Sequence, residues 1–221
     1  GATLMIDEGA LLKLRQANID VGASIPNVDR SGGALQVLGT PDHPVLFRSY
    51  HDDAFGGNTD PNDKAAEPGD WGGLVFRDTS DLETRGIFLD AVYQADLRHG
   101  GGKVIVNSVQ SDYAPIHLEQ ARPTVAFNTI TAGAGAAISA DPNSFDDRDG
   151  RLGPDIHGNT VTGNSVNGLL VRIRTRNGEP LDKLTVTARF DDDDIVHVIP
   201  ENLHIVGNPG GPVLTASGLQ A

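Results

Sequence analysis

Residues 127–131 read FNTIT, and residues 158–162 read GNTVT. The two segments match position for position in polar and apolar character, and each lies between two short apolar runs. The spacing of those runs repeats. Ile116-His117-Leu118 leads to Ala137-Ile138-Ser139 after a step of about 21 residues. The next step, to Leu169-Leu170-Val171, is longer by about 11, the size of the insertion NSFDDRDGRLG (143–153).

A repeat of about 20 residues with three short strands in each is the pattern of coils piled along an axis. Inward Val, Ile, Leu and Phe bury themselves on the coil below. Asn or Gly turns the corner, because these residues tolerate left-handed backbone angles, and Asn side chains on successive coils can bond one another. The predicted fold is therefore all-β, a right-handed parallel β-helix (solenoid), with long loops projecting outward. The chain is read as a single domain over 1–221, with an acidic loop at 50–70 and a second loop at 141–155.

Working outward from the repeat, short apolar or alternating runs recur along the chain, each ended by Gly, Asn, Asp or Pro. They include LMI (4–6), LLKL (11–14), ANIDVG (17–22), ALQVLG (34–39), PVLFRS (44–49), GLVF (73–76) and GIFLDAV (86–92). Further along come KVIVNSV (103–109), PIHLEQ (115–120), KLTVTARF (183–190), DIVHVI (194–199) and LHIVGN (203–208). Helical periodicity is scarce. The chain has four Lys and six Glu against 24 Asp, which disfavours helix and favours turns.

The net charge of −13 argues against nucleic acid and against an anionic membrane surface. No run approaches the roughly 18 apolar residues of a membrane helix, and there is no Cys to build a disulfide framework. The chain opens in GATLMIDEGALLKL, already strand-like, and reads as a piece of something longer. The terminal run ENLHIVGNPGGPVLTASGLQA (201–221) joins naturally to that opening. This suggests tandem copies or like modules stacked end to end, since bare terminal coils are open β edges.

The stretches GALQVLGTPDHPVLFRSYHDDAFGG (33–57) and PGDWGGLVF (68–76), with the Asn-Thr-Ile-Thr coils, resemble right-handed parallel β-helix modules of large bacterial secreted or surface proteins. The resemblance spans roughly 11 to 210. It implies secretion, an extracellular or cell-surface location, tandem modules and adhesion or scaffolding. Surface carbohydrate is a possible partner. The chain departs from the pattern where Arg48, Tyr50 and His51 stand in place of small or polar residues.

The loop after Ser49 gathers oxygen donors: Asp52, Asp53, Asn58, Asp60, Asn62 and Asp63. Calcium takes six to eight oxygens in a flexible shell, and so many nearby acids call for a counter-ion, so a Ca²⁺ site is expected there. The spacing is not that of an EF-hand. Asp146, Asp147 and Asp149 form a possible second metal site. Asp191 to Asp194 reads as a solvated corner. Trp71, the only tryptophan, is expected to cap the apolar coils. With Arg172 and Arg174 it is also a possible ligand contact for a sugar.

The sequence also carries a partial likeness to catalytic motifs. Asn58-Thr59-Asp60, Asp146-Asp147, His157-Gly158 and Arg172-Ile173-Arg174 follow the order of polygalacturonase motifs. Their spacing fails: Asp60 and Asp147 lie 87 residues apart. That is about four coils, or roughly 19 Å at ~4.8 Å each, too far for two carboxylates flanking one bond. A lyase base could be Lys103, Arg172 or Arg174, but no motif places one beside Asp52. None of the seven His forms an H-x-x-x-H pair, and no G-x-S-x-G elbow occurs. The expected function is a non-enzymatic structural or adhesive module stabilised by calcium. The alternative is a carbohydrate-active or sugar-binding β-helix.

Overall fold

The computed structural model describes residues 1–22, 31–106, 109–173, 175–176, 179–180, 183–207 and 213–220. The structure is all-β, and three parallel sheets dominate it. Sheet one stacks Thr3–Asp7, Ala34–Leu38, Ala91–Tyr93, Thr124–Ala126 and Asp155–His157. Sheet two stacks Leu11–Leu14, Val45–Ser49, Ala95–Arg98, Thr129–Thr131 and Thr160–Thr162. Sheet three stacks Ile19–Val21, Leu74–Arg77, Ile116–Glu119, Ala136–Ala140, Val166–Val171 and His197–Val198. As far as Val166–Val171 the chain visits the sheets in that rotation, so each strand lies on the strand one circuit earlier; His197–Val198 then adds to sheet three with no described strand of the other two sheets in between.

The core consists of columns. In sheet one Ile6, Val37, Val92, Val125 and Ile156 stand in register, all buried. Phe47, Leu97 and Ile130 form the buried column of sheet two, and Leu74, Ile116, Ile138 and Leu169 that of sheet three. Like meets like because parallel in-register strands place equivalent side chains about 4.8 Å apart. Burying a Val, Leu or Ile contributes about 1.5–3 kcal/mol.

The FNTIT and GNTVT segments pair as their match implies, Thr129 on Thr160 and Ile130 on Val161. At this first corner Asn128 Nδ2 donates to Asn159 Oδ1 at 3.0 Å and to Val92 O at 2.9 Å. The left-handed position, however, is the residue before each Asn, Phe127 (φ 58°) and Gly158 (φ 65°), and in the preceding coil Gln94 (φ 47°), before Ala95. The Asn instead satisfies the backbone groups that the corner frees, as where Asn128 Oδ1 accepts Ala95 N–H at 2.9 Å.

Other expectations need correction. Ile116 lies on Ile138, not on Ala137; every residue of Ala136–Ala140 is buried, so no inside–outside alternation marks the register. KVIVNSV is no coil strand: Lys103–Val106 turns back antiparallel on Val109–Asp112 as a projecting hairpin, and Asn107 and Ser108 lie outside the described residues. In 183–190 and 203–207 the described pairing is limited to isolated bridges, Ala188 with Asp146 and Leu184 with Ile205. Ala95–Arg98, with Asp96 and Arg98 facing out, is a coil strand that its charges concealed.

Insertions enter at two corners. Residues 50–73 and 99–115 leave between sheets two and three. Residues 78–90 and 141–154 leave between sheets three and one. The two corners set the electrostatics of everything that follows.

Candidate functional site

At the second corner the loop after Ser49 closes over a cleft of about 760 Å³ bordered by Arg15, His51, Asp60, Lys64, Asp70 and Lys103. Asp60 is buried in the loop's own backbone. Its Oδ1 accepts Asn62 N–H at 3.0 Å, its Oδ2 accepts Lys64 N–H at 3.3 Å, and His51 Nδ1 contacts Oδ2. The Asn62 N–H, reinforced by His51 and Lys64, holds this carboxyl below the usual aspartate range despite its burial.

Asp70 anchors the far end of the loop. Burial alone would raise its carboxyl, but Ser49 Oγ at 2.6 Å, Glu67 N–H at 2.8 Å and Lys64 Nζ at 3.2 Å hold it low. Lys13 Nζ donates to Gly57 O at 2.7 Å and Thr59 Oγ1 at 3.1 Å, tying the loop to the first coil.

Arg48 has a role in this fold that accounts for a cation at that position. It is fully buried. Its guanidinium bonds Asp96 O and Asp96 Oδ2, both at 2.6 Å. Its Nε lies 3.7 Å from Asp52, and it stacks on Phe55 with the ring centre 4.7 Å away. One cation thus joins the loop to the next coil.

The six expected calcium donors do not converge. Asp52 faces Arg48 and accepts Ala54 N–H. Asn58 donates to Asp63. Asp53 is exposed. Asn62 donates to Asp60 through both its nitrogens. Among the described residues no group of three or more His, Asp or Glu is arranged to hold a metal ion. As placed, the donor set does not form a calcium shell: Asp52, Asp60 and Asp63 each have a cation or an N–H against them, and Asp53 stands apart, exposed.

The second cluster is divided in the same way. Asp146 pairs with Arg148 at 2.7 Å, Asp147 with Arg189 at 3.1 Å, and Asp149 with Arg122 at 3.4 Å. Asp60 and Asp147 stand at different corners, in different coils.

Trp71 is completely buried, which removes it from any ligand. Its ring lies beside Phe47, with centroids 6.3 Å apart, and its Nε1 donates to Arg98 O at 2.7 Å. The following Gly73 is required sterically, because a Cβ there would meet Ala114 O at 2.2 Å. Arg172 stacks on Tyr113 at 4.9 Å, and Tyr113 stacks on His117 at 4.6 Å; Arg172 does not border the cleft beside the 50–73 loop. Arg174 lies outside the described residues.

The third corner holds what the sequence concealed. Asp81, Glu83 and Asp90 are all buried beside Arg122, itself 1% exposed. Arg122 donates through Nε to Glu83 Oε2 at 2.8 Å and through its backbone N–H to Oε1 at 2.6 Å. Its Nη1 reaches Arg148 O at 2.6 Å. Burial, only partly offset by these bonds, raises the carboxyls of Asp81 and Glu83. In the sequence, DLETR (81–85) looks like an exposed turn; nothing local signals that an Arg 39 residues away from Glu83 closes over it.

The acidic run is also not merely solvated. Asp192 Oδ1 accepts Ile156 N–H at 2.9 Å, and Asp194 accepts Gly158 N–H. Both cover the outer edge of Asp155–His157, the last strand of sheet one. Burial pushes the Asp192 carboxyl up to about 6.

No family model, curated protein or solved structure matches this chain. Among the described residues no helix is long and apolar enough to cross a membrane.

Proposed function

We propose that the three sheets are the walls of a right-handed parallel β-helix. On this reading the protein is a non-enzymatic structural or adhesive module of a secreted bacterial surface protein or extracellular fibre. One observation carries this: in the 50–73 loop Asp52, Asp60, Asp63 and Asp70 are each engaged by the chain's own side chains or backbone N–H groups. Carboxylates so engaged tie the loop to itself and to the neighbouring coils. Of the two ways to hold the large loop, a calcium ion or internal pairing, the contacts support the second.

Among the described residues Thr3–Asp7, Leu11–Leu14 and Ile19–Val21 each have one open edge, and Leu4 and Met5 are more than half exposed. These edges support stacking of like modules, because unpaired strand edges recruit further strands.

The experiment is incubation with a panel of acidic and neutral polysaccharides, assayed for new reducing or unsaturated ends. The module reading expects none from folded protein; sustained release at any of them overturns it. A sugar-binding reading draws support from the 760 Å³ cleft, where Arg15 and Lys103 stand exposed and could meet an acidic glycan. Binding without turnover, lost in Arg15→Ala/Lys103→Ala, would establish that reading instead.

A further inference from the structure

The loop 78–90 folds three carboxylates into the third corner with too few cations to match them. Asp81 Oδ1 accepts Glu83 N–H at 2.9 Å and Oδ2 accepts Leu89 N–H at 3.0 Å. Glu83 takes Arg122. Asp90, 2% exposed, uses Oδ1 to accept Leu35 N–H at 2.8 Å, and so pins the loop to the strand one coil below. Its Oδ2 is buried with no hydrogen-bond partner. Ser80 Oγ is buried and stands near enough to the carboxyl to favour its ionised form, though burial outweighs it and no hydrogen bond of full geometry joins the two.

The charged groups around Asp90 come from every neighbouring segment. Asp81 and Glu83 lie on its own loop, Arg122 on the turn before Thr124–Ala126, and Arg151 and Asp149 on the 147–152 hairpin. Arg122 is shared among Glu83, Asp149 and backbone carbonyls. Arg151 stacks on Phe88 at 4.9 Å and donates to Thr124 Oγ1 at 2.8 Å. Neither guanidinium bonds Asp90. A buried carboxylate oxygen with no donor is costly, and the same oxygen carrying a proton becomes a donor that Ser80 Oγ can accept.

We propose that Asp90 is a proton-operated latch: protonated, its Oδ2 donates to Ser80 Oγ and closes the 78–90 loop on itself; ionised, it leaves an uncompensated buried charge that loosens the loop. Burial pushes its carboxyl up to about 7, with Asp81 and Glu83 adding to the rise. A group whose folded value lies above its unfolded value contributes its full stability below the unfolded value and loses it as pH rises through the folded value. The latch therefore tightens on going from mildly alkaline to mildly acidic conditions. It is independent of the module reading above.

The test compares wild type with Asp90→Asn, which keeps the shape and cannot ionise. Between pH 8.5 and 5.5 one proton at a midpoint near 7 strengthens folding by roughly 30-fold. Wild type should gain that factor over the variant in chemical unfolding. Equal pH dependence in the two proteins overturns the latch. A second measurement needs no variant: the Asp90 carboxyl carbon followed by NMR in wild type. A midpoint between 6 and 8 supports the proposal, and one near 4 refutes it even if Asp90→Asn does not fold.

Discussion

The second and third corners are built from the same residue types and sit in opposite electrostatic states. At the second, Asp60 and Asp70 are held below the ordinary aspartate range by N–H groups, a serine and Lys64. At the third, Asp81, Glu83, Asp90 and Asp146 are raised by burial. Loop length does not separate them, and backbone N–H groups serve both: Asp81 accepts Glu83 and Leu89 N–H and Asp90 accepts Leu35 N–H. At the third corner burial outweighs those bonds and the cation Arg122 meets Glu83, whereas at the second His51 and Lys64 add to the N–H groups around Asp60 and Asp70. Acid is thus a clamp at one corner and a proton store at the other.

The sharpest way to break this comparison is Arg122→Met. It strips a buried carboxylate of its partner, and leaving one charge uncompensated costs about 3–5 kcal/mol. Urea unfolding should show the loss, with much of it recovered in Arg122→Met/Glu83→Gln. A mild effect, or no recovery, would mean that Arg122 is not what holds the third corner.

Arg48→Met should cost less, about 1–3 kcal/mol. Asp96 keeps Arg98 at 3.0 Å, and Asp52 lies near solvent. If Arg48 proved the more costly of the two, the second corner would be the one that depends on a single cation.

The pH profile tests both corners at once. The raised group Asp90 contributes below the ordinary aspartate value and loses that contribution as pH passes about 7, and Asp192 does so through about 6. The lowered groups Asp60 and Asp70 contribute above the ordinary value and lose that contribution as pH falls further. Thermal melting should therefore peak between roughly pH 4 and 6; a maximum at pH 8 or above would reverse the assignment.

Smaller effects are local. Asp60→Asn should leave the melting temperature nearly unchanged while limited proteolysis cuts residues 50–70 several times faster; unchanged cleavage would deny Asp60 its role in the loop. Chelator should do least of all. A melting temperature that falls in EGTA and recovers with calcium would show that the internal pairs do not suffice and would restore the ion.

Legibility followed the range of the interaction. FNTIT and GNTVT were readable down to register because corner Asn and strand Thr recur at fixed local spacing. KVIVNSV was misread because alternation is the same in a hairpin and in a coil, and only the partner strand distinguishes them. Asp52 to Asp63 was readable as an acidic loop, but its pairing with Arg48, His51 and Lys64 was not. Asp81, Glu83 and Asp90 gave no signal, since burial is imposed by segments distant in sequence.

The order of residues by itself determined an all-β chain: Asp and Gly break it often, and Val, Ile and Leu return at intervals suited to layered strands. Those preferences are local, set by backbone angles and by the apolar faces of a few neighbouring residues. Only the tertiary structure decided which acids are stabilised as anions and which are pressed toward their neutral form. Coulomb energy and desolvation depend on distance and depth in space, and neither is a function of separation along the chain.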